Sequence, residues 1–434
     1  MEMKFSKGFI YFICLVSAMG GLLFGYDWVV IGGAKPFYES FFGIADNPVM
    51  QGVAMTTALV GCLVGAMVAG ALADKYGRKP LLISAAVLFT VSAVATGLFN
   101  DFTFFNIARF IGGIGIGVAS ALSPMYIAEV SPPDIRGRMV SLNQMTIVLG
   151  ILSAQVVNML LARDTSDAVS QAWNLEWGWR WMFWAEALPA GLFLLMSFFI
   201  PESPVFIKLK ESVNDSASTS VKKAGLKTLM QPKFRNVLIL GLVIAVFQQW
   251  CGTNVIFNYA QEIFLGAGFD VDGMFIQIVI TGIANVVFTF VALYTIEKWG
   301  RRTLMLIGAG GLALIYLLLG TCYFMHVQGF VMVVMVVAAI SVYAMTLGPV
   351  TWTLLAEIFP HKIRGIAMAT CTFALWVGCC TLTFSFPPMN AALGSSGSFW
   401  IYSAVCACAF IFLWRNCPET KGKSLEQLEK ELVE

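Results

Sequence analysis

An all-α membrane protein of twelve transmembrane helices, arranged as two six-helix halves with short cytoplasmic linker helices, is the fold class that this sequence predicts. Three observations carry it. Of 434 residues, 58% are AVILMFWYC and only 12% are DEKR, whereas soluble domains run near 45 to 50% apolar and about 25% charged. With a mean hydropathy of +0.79, lipid must be the solvent for most of this surface. Finally, twelve apolar runs follow one another, and short polar motifs between them recur in the two halves of the chain. The same composition excludes an ordinary soluble enzyme, disorder and secretion. A formal net charge of +2 offers no broad patch for nucleic acid or another polyion.

A bilayer core of about 30 Å needs roughly 20 helical residues at 1.5 Å each. Twelve runs meet that ruler: 9–31, 50–73, 81–99, 102–128, 139–161, 181–200, 235–260, 273–296, 303–325, 328–354, 365–386 and 397–414. The first is too long for a cleavable signal and lacks a small-residue cleavage site, so it is expected to stay. Placing both termini inside puts 23 of the 27 basic residues in cytoplasmic segments, the asymmetry expected of a bacterial inner-membrane protein so oriented. Lys35, Arg163 and Arg180 are left outside, and Arg109 falls within the fourth run, where a charge is costly. The polar stretch after Pro201 divides the chain into an N-terminal half (1–200), cytoplasmic linker helices (201–234), a C-terminal half (235–414) and a cytoplasmic tail helix (415–434) capped by Ser424 with Gln427. The ten cysteines read as small core residues rather than metal ligands or disulfides. The tryptophans at 173, 177, 179, 181 and 184 read as an outer aromatic belt.

The repeat is specific. Asp74-Lys-Tyr-Gly77-Arg78-Lys79 after the second run recurs as Glu297-Lys-Trp-Gly300-Arg301-Arg302 after the eighth. Glu129 with Arg136-Gly137 recurs as Glu357 with Arg364-Gly365, and Pro201-Glu202-Ser203 as Pro418-Glu419-Thr420. Parallel six-span halves with a substrate site between them at mid-membrane describe an alternating-access transporter. Asp74, Arg78, Glu129, Arg136, Glu297, Arg301, Glu357 and Arg364 then form a candidate cytoplasmic gate, whose charges would close the inner side by pairing between halves and open it by separating. Exposed pairs worth about 0 to 1 kcal/mol each suit a switch that must toggle.

In order and spacing, Phe24-Gly-Tyr-Asp27, Gly77-Arg78-Lys79, Ser123-Pro-Met-Tyr-Ile-Ala-Glu129, Arg136-Gly137, Pro201-Glu-Ser-Pro204, Gln248-Gln249 with Gly252 and Asn254, Gly300-Arg301-Arg302, Gly348-Pro-Val-Thr-Trp352, Ala356-Glu-Ile-Phe-Pro360 and Pro418-Glu-Thr-Lys-Gly422 resemble the sugar porter family of the major facilitator superfamily. The resemblance spans nearly the whole chain, and the pattern is most similar to the family's proton-coupled bacterial xylose symporters. It implies the major facilitator fold and transport of a xylose- or glucose-like monosaccharide.

A sugar needs amides and a few aromatics rather than charges. Gln144, Gln248, Gln249, Asn254 and Asn285 supply amides within apolar runs, and Trp352 and Trp376 are flat enough to wall a ring. The resemblance implies the same set with Phe24 and Gly348 added. There are departures: Tyr259 follows Asn258 where the family pattern puts a tyrosine after the seventh-span asparagine, Leu375 replaces an amide before Trp376, and Cys379 stands where an asparagine is common. The last two remove hydrogen-bonding capacity from one wall.

Asp27, Arg109 and Glu186 are ionisable residues at membrane depth, functional by default. They are expected to carry proton coupling, Asp27 gripping Arg109 until protonated and Glu186 serving as its alternate partner. The resemblance agrees, since proton-coupled members carry an Asp there and facilitators tend to carry Asn. Neither a nucleophile with a base nor a metal cluster is found, so no catalytic residue, metal or cofactor is expected. The partners are a sugar, a proton and lipid, around a monomer. A passive sugar facilitator and a non-transporting sugar sensor are the alternatives.

Overall fold

In the computed structural model, residues 6–132, 135–164, 167–207, 210, 229, 231–360, 363–423 and 425–433 are described. The linker expected at 201–234 lies mostly outside them, as do His361 and Ser424. The chain divides into two compact units, Met1–Val221 and Lys222–Glu434.

The first unit contains α1 (Lys7–Phe41), α2 (Pro48–Tyr76), α3 (Arg78–Leu98), α4 (Phe102–Val130) and α5 (Arg136–Leu161). A broken sixth segment follows, made of α6 (Ala168–Trp173), a π-helical turn (Asn174–Gly178), α7 (Trp179–Trp184) and α8 (Ala187–Ser197). Starts are set by side-chain caps. Asn47 accepts from Met50 N at 3.2 Å with Pro48 at the first position, and Asp101 accepts from Thr103 N at 2.8 Å, each satisfying a backbone donor that no turn of helix can reach. Asp167 caps α6 through Ser170 N at 3.1 Å, and that bond holds its carboxyl below the usual range.

The second unit contains a seventh segment in three pieces, α9 (Pro232–Trp250), α10 (Thr253–Asn258) and α11 (Ala260–Gly266). After it come α12 (Val271–Trp299), α13 (Arg301–Phe324), a tenth segment split into α14 (Phe330–Met345) and α15 (Leu347–Ile358), α16 (Arg364–Asn416) and α17 (Leu425–Val433). Ten helices among the described residues are long and apolar enough to cross a membrane. Ten and twelve differ for two reasons. The sixth segment is cut into pieces too short to qualify. Also, α16 is one run of 53 residues, about 80 Å long if straight and far more than one bilayer core. It turns at Gly394 (φ 68°, ψ 174°), a backbone state open to glycine, shortly after Pro387 and Pro388.

Packing repeats between units as the motifs do. In the first, α1 packs on α5 and α2 on α4; in the second, α9 packs on α16 and α12 on α14. Small residues set the spacing. A Cβ on Gly25 would fall 1.9 Å from Ile147 O, one on Gly150 2.0 Å from Leu22 O, and one on Gly113 1.9 Å from Ala58 O. Backbones in such near contact gain dispersion and lose no side-chain entropy, which is how helices adhere where lipid is as apolar as leucine. Gly113 and Gly117 of α4, the latter with its added Cβ 2.2 Å from Cys62 O, therefore form a packing stripe against α2.

Three expectations need correction. The first segment runs to Phe41 rather than residue 31, and Lys35 is 1% exposed. It is no loop charge, because Glu39, one turn on, pairs with it at 3.0 Å and lets both be buried. Arg180 is also buried and ties down the α3–α4 turn, donating to Gly97 O and Asn100 Oδ1 at 2.7 Å each. Finally, Trp179 is fully buried among Phe41, Phe42, Phe105 and Phe183, with the Arg180 guanidinium 4.5 Å from its ring centre; Trp177 and Trp181 are exposed as a belt requires.

Gly25→Ala should destabilise the protein by about 3 kcal/mol, because the methyl cannot fit between α1 and α5. Gly191→Ala, where an added Cβ meets nothing within 4 Å, should be neutral or slightly stabilising. Chemical unfolding in detergent checks the pair, and equal effects would mean that the close approach is not what holds α1.

Candidate functional site

The first unit buries an ion pair. Asp27 lies mid-way along α1 and Arg109 in the second turn of α4, and the side chains of both are 2% exposed. Arg109 Nη1 bonds Asp27 Oδ1 closely, and Nη2 donates to Asp27 O at 3.1 Å. The grip is thus two-pointed, with one bond to the carboxylate and one to its own backbone. Among the described residues Asp27 Oδ2 has no hydrogen-bond partner. It faces Gly112, one turn beyond Arg109, where an added Cβ would come within 3.1 Å of it and 2.3 Å of Ser92 Oγ.

Glu186 begins α8, is 2% exposed, and feels the charges of both Asp27 and Arg109. Its Oε1 is buried without a hydrogen-bond partner among the described residues. Phe183, three residues earlier, carries the Arg109 guanidinium 5.3 Å from its ring centre, and Tyr26 beside Asp27 donates to Met182 O at 3.2 Å. Two carboxyls and one guanidinium therefore share an apolar enclosure on three helices.

The second unit buries amides. Asn254 Nδ2 bonds Gln249 Oε1, Gln249 Nε2 bonds Gln248 Oε1, and Gln248 Nε2 donates to the Tyr343 hydroxyl at 2.7 Å. The seventh segment makes this possible by breaking. Gly252 takes a left-handed conformation (φ 86°), which starts a new helix and returns Asn254 toward Gln249. The tenth segment breaks at Thr346 (φ −123°, ψ −87°), directly after the last turn of α14 that carries Tyr343, and a Cβ added at Gly348 would meet the tyrosine ring at 3.4 Å, an ordinary contact. Cys379 of α16 lies 3.9 Å from Asn254 Nδ2.

Of the other expected contacts, Trp376 and Asn285 are buried, while Trp352 is 38% exposed. No hydrogen bond among the described residues joins Asn285 or Trp352 to the amide chain. In the first unit Phe24 stacks on Trp28 at 5.8 Å and Gln144 is half-buried. Tyr259 donates to Thr383 O at 2.7 Å and packs 4.6 Å from Phe386.

The basic turns are duplicates in three dimensions. Gly77 (φ 99°) and Gly300 (φ 87°) leave room for a carboxylate. Glu202 accepts from Arg78 N at 2.9 Å, and Glu419 from Arg301 N at 3.0 Å. Arg78 then bonds Glu129 at 2.9 Å and 3.0 Å, and Arg301 bonds Glu357 at 3.1 Å. Ser203 and Thr420 close the other side of those acids. Asp74 lies 3.9 Å from Arg78. Arg136 donates to Ser131 O at 3.4 Å and Arg364 to Phe359 O at 3.2 Å. Nothing is described of the Glu297 side chain.

The sugar (and other) transporter family model matches residues 13–228 and again 211–432. The chain belongs to the sugar transporter family. This sugar porter is 34% identical to the arabinose-proton symporter of Bacillus subtilis, over 98% of this chain and 95% of that one. It is 36% identical to the D-xylose-proton symporter of Escherichia coli, over 99% and 97%. The inward-open structure of the E. coli xylose transporter superposes with a TM-score of 0.84 at 34% identity, covering 98% and 100%. The all-α fold of the major facilitator superfamily follows.

Sequence reasoning overlooked Glu202, Ser203, Glu419 and Thr420 as partners of the basic turns, although their repetition had marked them. It overlooked Tyr343 because a single tyrosine in an apolar run carries no periodic signal. For the charged centre of this sugar porter, Arg109→Leu should cost about 3 to 5 kcal/mol by leaving Asp27 buried and uncompensated. Adding Asp27→Asn should return more than half of that. Unfolding of the four proteins in detergent measures the cycle, and strictly additive losses would mean that the two groups are not energetically paired.

Proposed function

We propose that this integral membrane protein moves a monosaccharide together with a proton by alternating access. The observation that carries the coupling is the buried Asp27–Arg109 pair, with an unengaged carboxylate oxygen and Glu186 beside it. A neutral site would suffice for facilitated diffusion, and burying an acid without a use for it is costly. Similarity to arabinose- and xylose-proton symporters supports the same reading.

The chemistry follows from the charge count. Asp27, Arg109 and Glu186 hold one cation against two acids, so one proton more or less decides which acid holds the guanidinium. With Asp27 ionised, Arg109 is held to α1. Protonation of Asp27 from outside removes its charge, loosens that bond and frees Arg109 to turn toward Glu186, at the start of α8. Arg109 then biases helix positions rather than reacting, and the conformation it favours depends on the proton.

The sugar is held by Gln248, Gln249, Asn254, Asn285, Gly348, Trp352 and Trp376, with Phe24 and Gln144 as further contacts. Amides offer both donors and acceptors, as a ring of hydroxyls demands. The basic turns, with Asp74, Arg78, Glu129, Arg136, Glu297, Arg301, Glu357 and Arg364, form the cytoplasmic gate of a monomer in a bacterial inner membrane, with both termini inside. Pentose transport is favoured, because both symporter relatives named above are named for pentoses.

The test is uptake of labelled D-xylose and L-arabinose into proteoliposomes with and without an inward proton gradient. Accumulation should require the gradient. Asp27→Asn should abolish accumulation and spare sugar exchange at equal concentrations. Equilibration indifferent to the gradient would make the protein a facilitator, and concentrative uptake by Asp27→Asn would remove the proposed role of that carboxylate.

A further inference from the structure

We infer that Tyr316, which makes no hydrogen bond to the amide chain, is a positioning residue for sugar binding: its hydroxyl holds Thr253, and through Thr253 the helix break that aims Asn254. The inference deepens the sugar-transport reading above and rests on it.

A break inside a membrane-spanning segment leaves backbone carbonyls that no water can meet. At Gly252 thiols meet two of them. Cys251 Sγ donates to Gln248 O at 3.1 Å, and Cys406 Sγ of α16 donates to Cys251 O at 3.7 Å. On the far side of the break Thr253, the first residue of α10, has its hydroxyl 3.3 Å from that of Tyr316 of α13 and 3.6 Å from Cys251 Sγ. Cys251, Thr253, Tyr316 and Cys406 are all fully buried. Gly252 itself lies against Tyr402, where an added Cβ would come within 2.9 Å of the ring.

Thr253 is the only hydrogen-bond partner of Tyr316 among the described residues. The phenol stands on a face of α13 otherwise made of buried Leu312 and Leu319 and packs against the rings of Phe399 and Tyr402. Burying a hydroxyl there costs hydration that a phenylalanine would not lose. The bond to Thr253 offsets that cost and fixes the first turn of α10 against α13. Asn254, the next residue and about 100° further round the helix, is then presented to Gln249 and cannot swing freely about Gly252. The break in the tenth segment is held differently, since the Thr346 hydroxyl donates to Val342 O of its own segment. The aim of Asn254 therefore depends on α13, a helix that carries none of the proposed sugar contacts.

Tyr316→Phe and Thr253→Val each remove this bond at nearly constant volume. In proteoliposomes exchanging labelled D-xylose or L-arabinose, each should raise KM about fivefold, the size of one hydrogen bond between membrane helices. The maximal exchange rate should stay within about twofold, the double variant should be no worse than either single one, and Thr253→Ser should recover most of what Thr253→Val loses. On an Asn254→Ala background, Tyr316→Phe should change KM no further. An unchanged KM in both single variants, additive losses in the double variant, or an undiminished effect of Tyr316→Phe beside Asn254→Ala would each overturn the inference and leave sugar transport standing. Absence of uptake by the unmodified protein would overturn both.

Discussion

The cost of burying Asp27 and Arg109 is the constraint around which the first unit is built. A carboxylate and a guanidinium taken out of water lose several kcal/mol of hydration each, and their attraction repays this only when geometry is tight. Tight geometry here comes from residues without charge. Gly25 brings α1 against α5, Gly113 brings α4 against α2, and Gly112 leaves the space that Asp27 Oδ2 occupies. The Arg109 guanidinium lies beside the Phe183 ring, a contact that solvates a cation without competing for its donors. Remove any of these and the pair would have to admit water or separate.

The basic turns meet the same problem at lower stakes. Their arginines are nearly buried, yet the acids they hold stay partly wet: Glu129 is 14% exposed and Glu357 24%. Each carboxylate accepts from an arginine and a hydroxyl, while a second acid, Glu202 or Glu419, occupies the space over a glycine with positive φ. A side chain at Gly77 or Gly300 would be strained in that backbone state and would collide with the acid. That is why glycine precedes arginine in both copies.

Much of this was legible beforehand. The twelve segments, the duplication and the isolated charges at 27, 109 and 186 followed from hydropathy and from the cost of charge in lipid, which leave few alternatives. What could not be read was where an apolar segment breaks. Gly252 and Gly394 look like other glycines in a chain of 40, and their positive φ is a tertiary outcome. Lys35 and Trp179 were misplaced for a related reason. A charge or an amphipathic ring near a segment end reads as interfacial, but Glu39 and a phenylalanine cluster offered each a buried partner. Tyr343 was invisible because its role depends on which helix it faces.

The two units have diverged in the currency of their polar groups. The first unit buries charges at 27, 35, 39, 109, 180 and 186 beside the amides of Asn143, Gln155 and Asn158, while among the described residues the second buries amides and hydroxyls and, at its basic turn, Arg301. The difference matches the roles proposed above, in which the first unit responds to a proton and the second holds the sugar. A proton is recognised by charge, and a charge in low dielectric makes protonation worth several kcal/mol, enough to shift a conformational balance. A sugar is recognised by the direction of many weak bonds, and amides at helix breaks can be aimed where a continuous helix would fix them. Intact helices α1 and α4 therefore hold the ion pair rigidly, and broken segments at Gly252 and Thr346 present the amides and Tyr343.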